Sequence, residues 1–597
     1  MSLLNDASLV LIPSGYKEDK VYSIIPSDGS GDLDFVRGSD GTRINSLGQV
    51  ENVCWNKLQY SEDFANAVWV KYQASVTGNA ATAPNGTNSA DFLYDNSAND
   101  AHLTYQLLPL QKGINTISVF AKANTLSHIN LQFYDGSSGY NSNAFDLANG
   151  TTTGANQSIE SVGNGWYRCS FSYDLPTSAN TYCYIFLNNG SSQVYTGTGK
   201  GVYVWGYQTN VGALKPYFPT TDRLNVPRLT YENGCPSLLL EKQSTNIATY
   251  SEDFSNAVWD KVDTTLSANA SISPDGTQTA DRFYETATNG SHGFYQQKNI
   301  STGTDYTFSC YVKKGNRRYC GLQMYYDVAK GAIAFFDLDN GTLVYEFYEY
   351  PGYLVKNSKI TSIGNDWYRL EATIRVGISD SYFGLVMASS LWSTGTSYDN
   401  PYTGDTSKYI DVWGFQIEQS SYATSYIPTT STSVTRLADS CYKTGISSLI
   451  GQSEGSVFVE CIVKGDRGLA ANIFSNELNA ANAISTMTIV YVNGAINVKT
   501  FFGNGGFDGV TISGGSFTIG QRLKIGYRYK SGDFALYING VQIGTSSTTM
   551  TFNGTKAEIR LGEPTTYYGY GEAISVGQCL LFERGLTNTE LAQLTTI

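Results

Sequence analysis

The chain repeats itself over a long distance. Residues 60–69 read YSEDFANAVW and residues 250–259 read YSEDFSNAVW, differing only at Ala65 against Ser255. The match continues in order: APNGTNSAD (83–91) with SPDGTQTAD (273–281), FDLANGT (145–151) with FDLDNGT (336–342), VGNGWYR (162–168) with IGNDWYR (363–369), VYVWGYQ (202–208) with IDVWGFQ (410–416), and YFPTT (217–221) with YIPTT (426–430). A period this long lies far beyond solenoid repeats of roughly 20–50 residues, so it signals two copies of a whole domain. The register slips by about ten residues around 345–354, which predicts an insertion in a loop of the second copy. With 597 residues and roughly 100–200 per domain, further domains must flank the pair.

Within each copy the pattern is β. Runs such as ISVFA (117–121) and YTFSCYV (306–312) alternate with Gly/Asn/Ser/Pro clusters, and no long 3.6-residue period appears. The expectation is an antiparallel sandwich of jelly-roll type. Residues 60–69 are the exception, expected as one short helical turn with Ser61 as N-cap and Phe64 and Val68 on one face. The C-terminal part differs. Leu523, Ile525, Tyr527 and Tyr529 alternate with Lys524, Arg528 and Lys530, a strand with one wet face. Asn539-Gly540 and Asn493-Gly494 suit two-residue hairpins, and Thr587 with Glu590 forms a capping-box signature on a short final helix.

These motifs carry a resemblance. The openings at Asn56–Trp69 and Asn246–Trp259, the GNGWYR-type centres (163–168 and 364–369) and the ending WGFQIEQSSYATSYIPTT (413–430) resemble modules of tailed-bacteriophage head-fibre and tail-fibre proteins. The first copy departs at QTNVG (208–212), which lacks the counterpart of Glu418. Segments 35–53 and 226–246 resemble the amino-terminal region and linker of the same proteins. LYINGVQIG (536–544) and VGQCLLFERGLTNTEL (576–591) resemble the concanavalin A-like (laminin G-like) lectin sandwich. The resemblance implies a virion surface appendage, usually homotrimeric, with carbohydrate-binding-like modules. The expected fold class is all-β: two duplicated sandwiches plus a C-terminal concanavalin A-like sandwich. The expected domains are 1–57 (virion attachment), 58–222 (copy 1), 223–246 (linker), 247–430 (copy 2), 431–455 (linker) and 456–597 (terminal sandwich). Strands within 9–13 and 21–26 are expected to add to a partner's sheet.

Composition narrows the function. Charged residues make up 15%, against roughly 25% in an ordinary soluble domain, while Gly (60) and Tyr (44) are abundant. A net charge of −13 with no basic run argues against nucleic acid. No apolar stretch is long enough to cross a bilayer as a helix, so no membrane partner is expected. The first 25 residues suit neither a secretory signal nor a transit peptide. The nine Cys show no CxxC spacing, which predicts free thiols formed under reducing conditions.

Catalysis is not expected. His102, His128 and His292 match no metal spacing and read as ordinary surface residues; the GxSxG match GQSEG (451–455) leads into the β-patterned run SVFVECIV and forms no strand-to-helix nucleophile elbow, and ExDxxE does not occur. No cofactor is expected. Asp32/Asp34 and Asp337/Asp339/Asn340 leave a structural calcium open, although FDLANGT lacks the second Asp and points to a turn. Sugar binding needs flat aromatic faces beside amides and carboxylates. Trp69/Trp259, Trp166/Trp367 and Trp205/Trp413 recur in both copies and are assigned to the core. The unmatched loop aromatics are the candidates: Trp392, Tyr398 and Tyr402, with Tyr567, Tyr568 and Tyr570. The sequence reading is a bacteriophage head fibre or spike, made in the host cytoplasm and exposed on the virion. It would be seated through its N-terminal segment on capsid or tail proteins, be trimeric, and bind glycans weakly and multivalently. A tail fibre or receptor-binding protein is the first alternative and a polysaccharide hydrolase the second.

Overall fold

The computed structural model describes residues 3–110, 113–177, 179–232, 234–327, 330–349, 353–390, 401–465, 471–476, 487–492, 494–501, 509–552, 554–563 and 573–596. Among the described residues, apart from two short 3-10 turns and the helix Asn588–Thr595, the regular elements are strands, and they pair antiparallel. The chain divides into two compact units, Cys54–Leu224 and the remainder.

The unit Cys54–Leu224 is copy 1, and two sheets enclose its core. One runs in the order Gly139–Asn141, His128–Tyr134, Ala179–Asn188, Leu103–Leu110, Val70–Tyr72. The other runs Gln157–Gly163, Trp166–Leu175, Gly113–Lys122, Gly201–Val211, Ala90–Asp95, Ala74–Ala81. Inward residues alternate strictly: Ile117, Val119 and Ala121 from one sheet meet Cys183, Ile185 and Leu187 from the other. Copy 2 repeats this plan, with one difference. Where copy 1 has the stubs Gly139–Asn141 and Phe145–Asp146, copy 2 has the full strands Lys330–Asp337 and Thr342–Glu349. The extra residues therefore lengthen a sheet rather than a loop. TLVYEFYE has the alternation and aromatic content of a strand, which overrides the loop expectation.

The expected helical turn at 60–69 is a chain of tight turns. Asp63 N bonds to Tyr60 O, Asn66 N to Asp63 O and Trp69 N to Asn66 O, at 3.1, 3.3 and 3.2 Å. Asp63 Oδ1 also accepts from Asn66 N, and Asn66 Oδ1 accepts from Val68 N, both at 3.1 Å. Short polar side chains here compete with helical bonding. Ser61 caps nothing; its hydroxyl meets Tyr217 Oη at 2.9 Å.

The terminal sandwich is not confined to 456–597. Its first sheet includes Arg228–Thr230 and Ser237–Leu240, the latter paired with Ile574–Phe582. Leu9–Leu11 pairs with that same strand, Leu9 opposite Leu581 and Leu11 opposite Cys579. The second sheet includes Tyr16–Lys17, Lys20–Val21, Leu33–Val36 and Ser440–Thr444. Leu9, Leu11, Val21, Leu33, Phe35, Leu238 and Leu240 are at most 2% exposed and share one core with Val459, Ile525 and Leu561. The strands expected to reach a partner's sheet are thus paired within the chain, and the expected linkers 223–246 and 431–455 supply sandwich strands. The reason is compositional: LVL (9–11) and SLLL (237–240) are apolar on successive positions, as strands covered on both faces must be.

A buried ion cluster ties these segments together. Arg37 Nη1 lies 3.0 Å from Asp439 Oδ1, Arg228 Nη1 lies 2.6 Å from Glu241 Oε2, and Arg228 Nη2 also bonds Asp439. Arg436 Nη2 lies 3.4 Å from Glu241 Oε2. All five side chains are at most 5% exposed. Burial pushes the Glu241 carboxyl up, but Arg436 and Arg228 outweigh it and hold it well below the usual range. Burial pushes Arg37 down to about 10.

Candidate functional site

Of the six aromatic candidates, Trp392, Tyr398, Tyr567, Tyr568 and Tyr570 lie outside the described residues. Tyr402 is half-buried and committed internally. Its hydroxyl donates to Glu285 Oε1 at 2.5 Å, and its ring lies 4.6 Å from the His292 ring. Copy 1 builds the same joint, with Tyr195 donating to Asp95 Oδ2 at 3.0 Å and lying 4.7 Å from His102. Tyr402 therefore has a counterpart and an anchoring role. His102 and His292 are fully buried, contrary to the surface expectation. The ring nitrogens of His102 face Gln73 O and Tyr195 O; those of His292 face Asp263 O and Tyr402 O. A lone histidine carries no sign of this; recurrence at the same place in both copies, His102 and His292, is the signal that does.

The paired tryptophans are core residues, at most 5% exposed. Trp69 and Trp259 Nε1 donate to Tyr60 O and Tyr250 O at 2.9 and 3.0 Å, which accounts for the YSEDFxNxxW spacing. Asp337 closes a turn: Oδ1 accepts from Asp339 N at 2.9 Å, and Arg318 pairs with both oxygens, holding the carboxyl at about 2. Asp32 accepts from Ser23 N, and Asp34 pairs with Lys20. Among the described residues no three His, Cys, Asp or Glu side chains group as metal ligands. The departure at QTNVG is also resolved. Asn210 Nδ2 bonds Val211 O and Ala213 O, doing for the copy 1 corner what Glu418 does by accepting from Ser244, Gln416 and Thr424.

The surface that stands out lies on copy 1, on the outer face of Leu103–Leu110, Ala179–Asn188 and His128–Tyr134. Thr181, Cys183, Ile185 and Leu187 point to the core, so Tyr182, Tyr184 and Phe186 point out. Register places Tyr184 beside Tyr105 and Gln132, and Tyr182 beside Leu107 and Tyr134. The Tyr182 and Tyr184 rings lie 5.6 Å apart and nearly parallel at 3°. Tyr105 stands edge-on to both, at 5.3 and 5.0 Å, and Tyr134 lies 5.8 and 6.4 Å from them. All four are half-buried. Burial, with the neighbouring phenols, pushes Tyr184 up to about 12, so it stays a neutral donor. Gln132 and His128 continue the face, with Asp146 Oδ2 at its margin 3.7 Å from His128 Nε2, while Asn130 and Asn188 on the same side are buried. Asn188 Nδ2 donates to Asn130 Oδ1 at 2.8 Å, fixing both amides. The outward positions of these three strands carry no Lys, Arg, Asp or Glu.

Copy 2 has Tyr295, Tyr325 and Tyr382 at the places of Tyr105, Tyr134 and Tyr182, but Gly384 replaces Tyr184. A Cβ at Gly384 would lie 2.5 Å from the Tyr295 ring, which occupies that space. Tyr295 is 2% exposed and donates to Gln323 Oε1 at 2.7 Å. Ile333 and Phe335 are also fully buried, so in copy 2 the exposed part of this face shrinks to the half-buried pair Tyr325 and Tyr382, stacked at 5.0 Å, while copy 1 presents four half-buried tyrosines.

No protein family and no curated protein matches the chain. Among solved structures it is similar to the CBM40 of the Ruminococcus gnavus IT-sialidase bound to α2,3 sialyllactose, at 13% identity over 26% of this chain and 91% of that one, with a TM-score of 0.22. It is similar to the CBM22-1–CBM22-2 tandem of Paenibacillus barcinonensis Xyn10C at 11% identity, covering 61% of this chain and 98% of that one, with a TM-score of 0.19. Domain 4 of AbnA, a GH43 extracellular arabinanase from Geobacillus stearothermophilus, in complex with arabinotriose, is 17% identical over 29% of this chain and 82% of that one, with a TM-score of 0.21.

Proposed function

We propose that this protein is a non-catalytic glycan-binding fibre or spike on the surface of a bacteriophage virion, built as a homotrimer, and that copy 1 carries its sugar site. The observation behind the glycan reading is the uncharged tyrosine face of copy 1. Parallel phenol rings offer flat apolar surfaces to pyranose C–H groups, while their hydroxyls and the neighbouring amides suit sugar hydroxyls. The absence of charge on these strands favours neutral glycans. A few stacked rings at about 1 kcal/mol each give millimolar affinity per site, and an assembled oligomer raises avidity by 10²–10⁴. The virion role rests on the sequence resemblance, and the low-charge, thiol-bearing β chain is consistent with it. With Tyr295 buried and Gly384 in place of Tyr184, copy 2 keeps only the Tyr325–Tyr382 pair, which favours copy 1 as the principal binder of the duplicated pair.

The test is a glycan screen of the full chain beside Tyr182→Ala/Tyr184→Ala. Binding to neutral glycans, reduced at least tenfold in the double variant with its melting transition retained, is the expected result. No binding by the oligomeric protein would overturn the adhesive reading and leave a capsid-stabilising spike. Release of reducing ends would overturn the non-catalytic reading. Labelling of intact particles with antibody to copy 1, read by electron microscopy, tests the virion placement.

A further inference from the structure

The two copies share a second surface, and only one of them has it covered. In copy 2 the turn Ser273–Thr277 lies beside the turn that leads into Trp367, with Trp367 Nε1 donating to Ile272 O at 3.1 Å. The hairpin of residues 42–52 docks there. Its strands pair Thr42 with Asn52 and Ile44 with Val50, and Asn45 Oδ1 holds the tip by accepting from Leu47 N and Gln49 N at 2.9 and 3.0 Å. Val50 N donates to Pro274 O at 3.0 Å. Val50 is 4% exposed, in a cluster with Trp367, Trp413 and Tyr426 that Ile44 and Ile363 flank. Gly48 packs so closely that a Cβ would lie 3.2 Å from Ile363 O. A cleft of about 160 Å³ beside Gln49, Lys313 and Asn365 is the unfilled part of this seam.

Copy 1 reproduces the acceptor. Ala83 N bonds to Thr87 O at 2.8 Å and Gly86 N to Ala83 O at 3.0 Å, as Ser273 N does to Thr277 O (2.8 Å) and Gly276 N to Ser273 O (2.9 Å). Trp166 Nε1 donates to Thr82 O at 3.1 Å. Yet each counterpart is more exposed. Pro274 is buried and Pro84 half-buried; Asp275, Thr277 and Ile363 are half-buried, while Asn85, Thr87 and Val162 are exposed, Val162 at 41%. Gln49 fills the space over Gly276, whereas nothing lies within 4 Å of a Cβ at its counterpart Gly86.

We infer that the Pro84–Val162 surface of copy 1 is a docking site for a β-hairpin of a second polypeptide, with the chemistry of residues 44–50: a glycine at the tip and a β-branched residue after it. The chain's own use of the duplicated site in copy 2 identifies the occupant. The hairpins that precede the two copies are already engaged, residues 42–52 on copy 2 and Arg228–Thr230 with Ser237–Leu240 on Ile574–Phe582. The occupant of copy 1 therefore comes from another molecule, and the site is a candidate seat for a neighbouring virion protein.

The probe is a cyclised, fluorescein-labelled peptide of residues 42–52, titrated into the full chain and read by anisotropy. Saturable binding, weakened at least tenfold by Val162→Asp and by Thr82→Arg and unchanged by Ile363→Asp, is the expected result. Both copy 1 positions are exposed, so these variants keep the wild-type melting transition. Absence of saturable binding would overturn the inference. Loss with Ile363→Asp, or indifference to both copy 1 variants, would equally overturn it, because the peptide would then be exchanging with the resident hairpin or binding elsewhere.

Discussion

Asp439 answers arginines from two distant segments, Arg37 and Arg228, in a cluster of three guanidinium groups and two carboxylates. Charges this deeply buried cost several kcal/mol each to desolvate, and removing one partner strands the others. Asp439→Asn is expected to destabilise the unit by about 3–5 kcal/mol, read as a lower urea midpoint. Glu241, depressed by its arginines, contributes stability that is present above the unfolded carboxylate value and lost as pH falls. Asp281 has the opposite sign. Burial pushes it up to about 6, although it accepts from Asn269 N and Phe254 N at 2.8 and 3.1 Å. Its contribution is complete below the unfolded value near 4 and is lost as pH rises through about 6. In Asp281→Asn the difference in unfolding free energy between pH 4.5 and pH 7 should shrink; an unchanged difference would assign that slope to other groups.

At the level of single elements, much was legible where local chemistry and pattern agree. The final helix starts as its sequence requires: Glu590 N donates to Thr587 Oγ1 at 3.2 Å, and Thr587 N to Glu590 Oε2 at 2.7 Å. Asn539 and Gly540 take φ of 50° and 79°, as a type I′ hairpin demands. The tyrosine face was also within reach of the sequence. In ANTYCYIFLN the Thr, Cys, Ile and Leu set already fills the core, so aromatic residues on the alternate positions must point outward. They sit in a strand, outside the loops where unmatched aromatics point to a sugar site. The burial of Tyr295 in copy 2 was not legible, because it depends on one glycine, Gly384, across the sheet from it. Nor was the integration of residues 9–36, since strand pairing over hundreds of residues leaves no local mark.

At the scale of the molecule, the terminal sandwich is a discontinuous domain with both duplicated modules inserted into it. Copy 1, residues 54–224, has its own two sheets and core, and as an isolated fragment it is expected to melt cooperatively. The fragment 456–597 lacks the strands from 9–36, 228–240 and 440–444 that complete both sheets, and it is expected to show no cooperative transition. Circular dichroism melts of the two fragments decide this; a sharp transition in 456–597 would show that the added strands are dispensable.

The pairing of Leu9–Leu11 with Ile574–Phe582 also sets a schedule for biosynthesis. At roughly 5–20 residues per second, the N-terminal strand waits about half a minute to two minutes before its partner leaves the ribosome. Until then Leu9–Leu11 has only the bridge from Val10 to Ile25 on one side, and a chain interrupted before residue 574 never provides the other edge. Whether synthesis reached the closing strand is therefore reported at the opposite end of the polypeptide, where one edge of the N-terminal strand stays unpaired in an interrupted product.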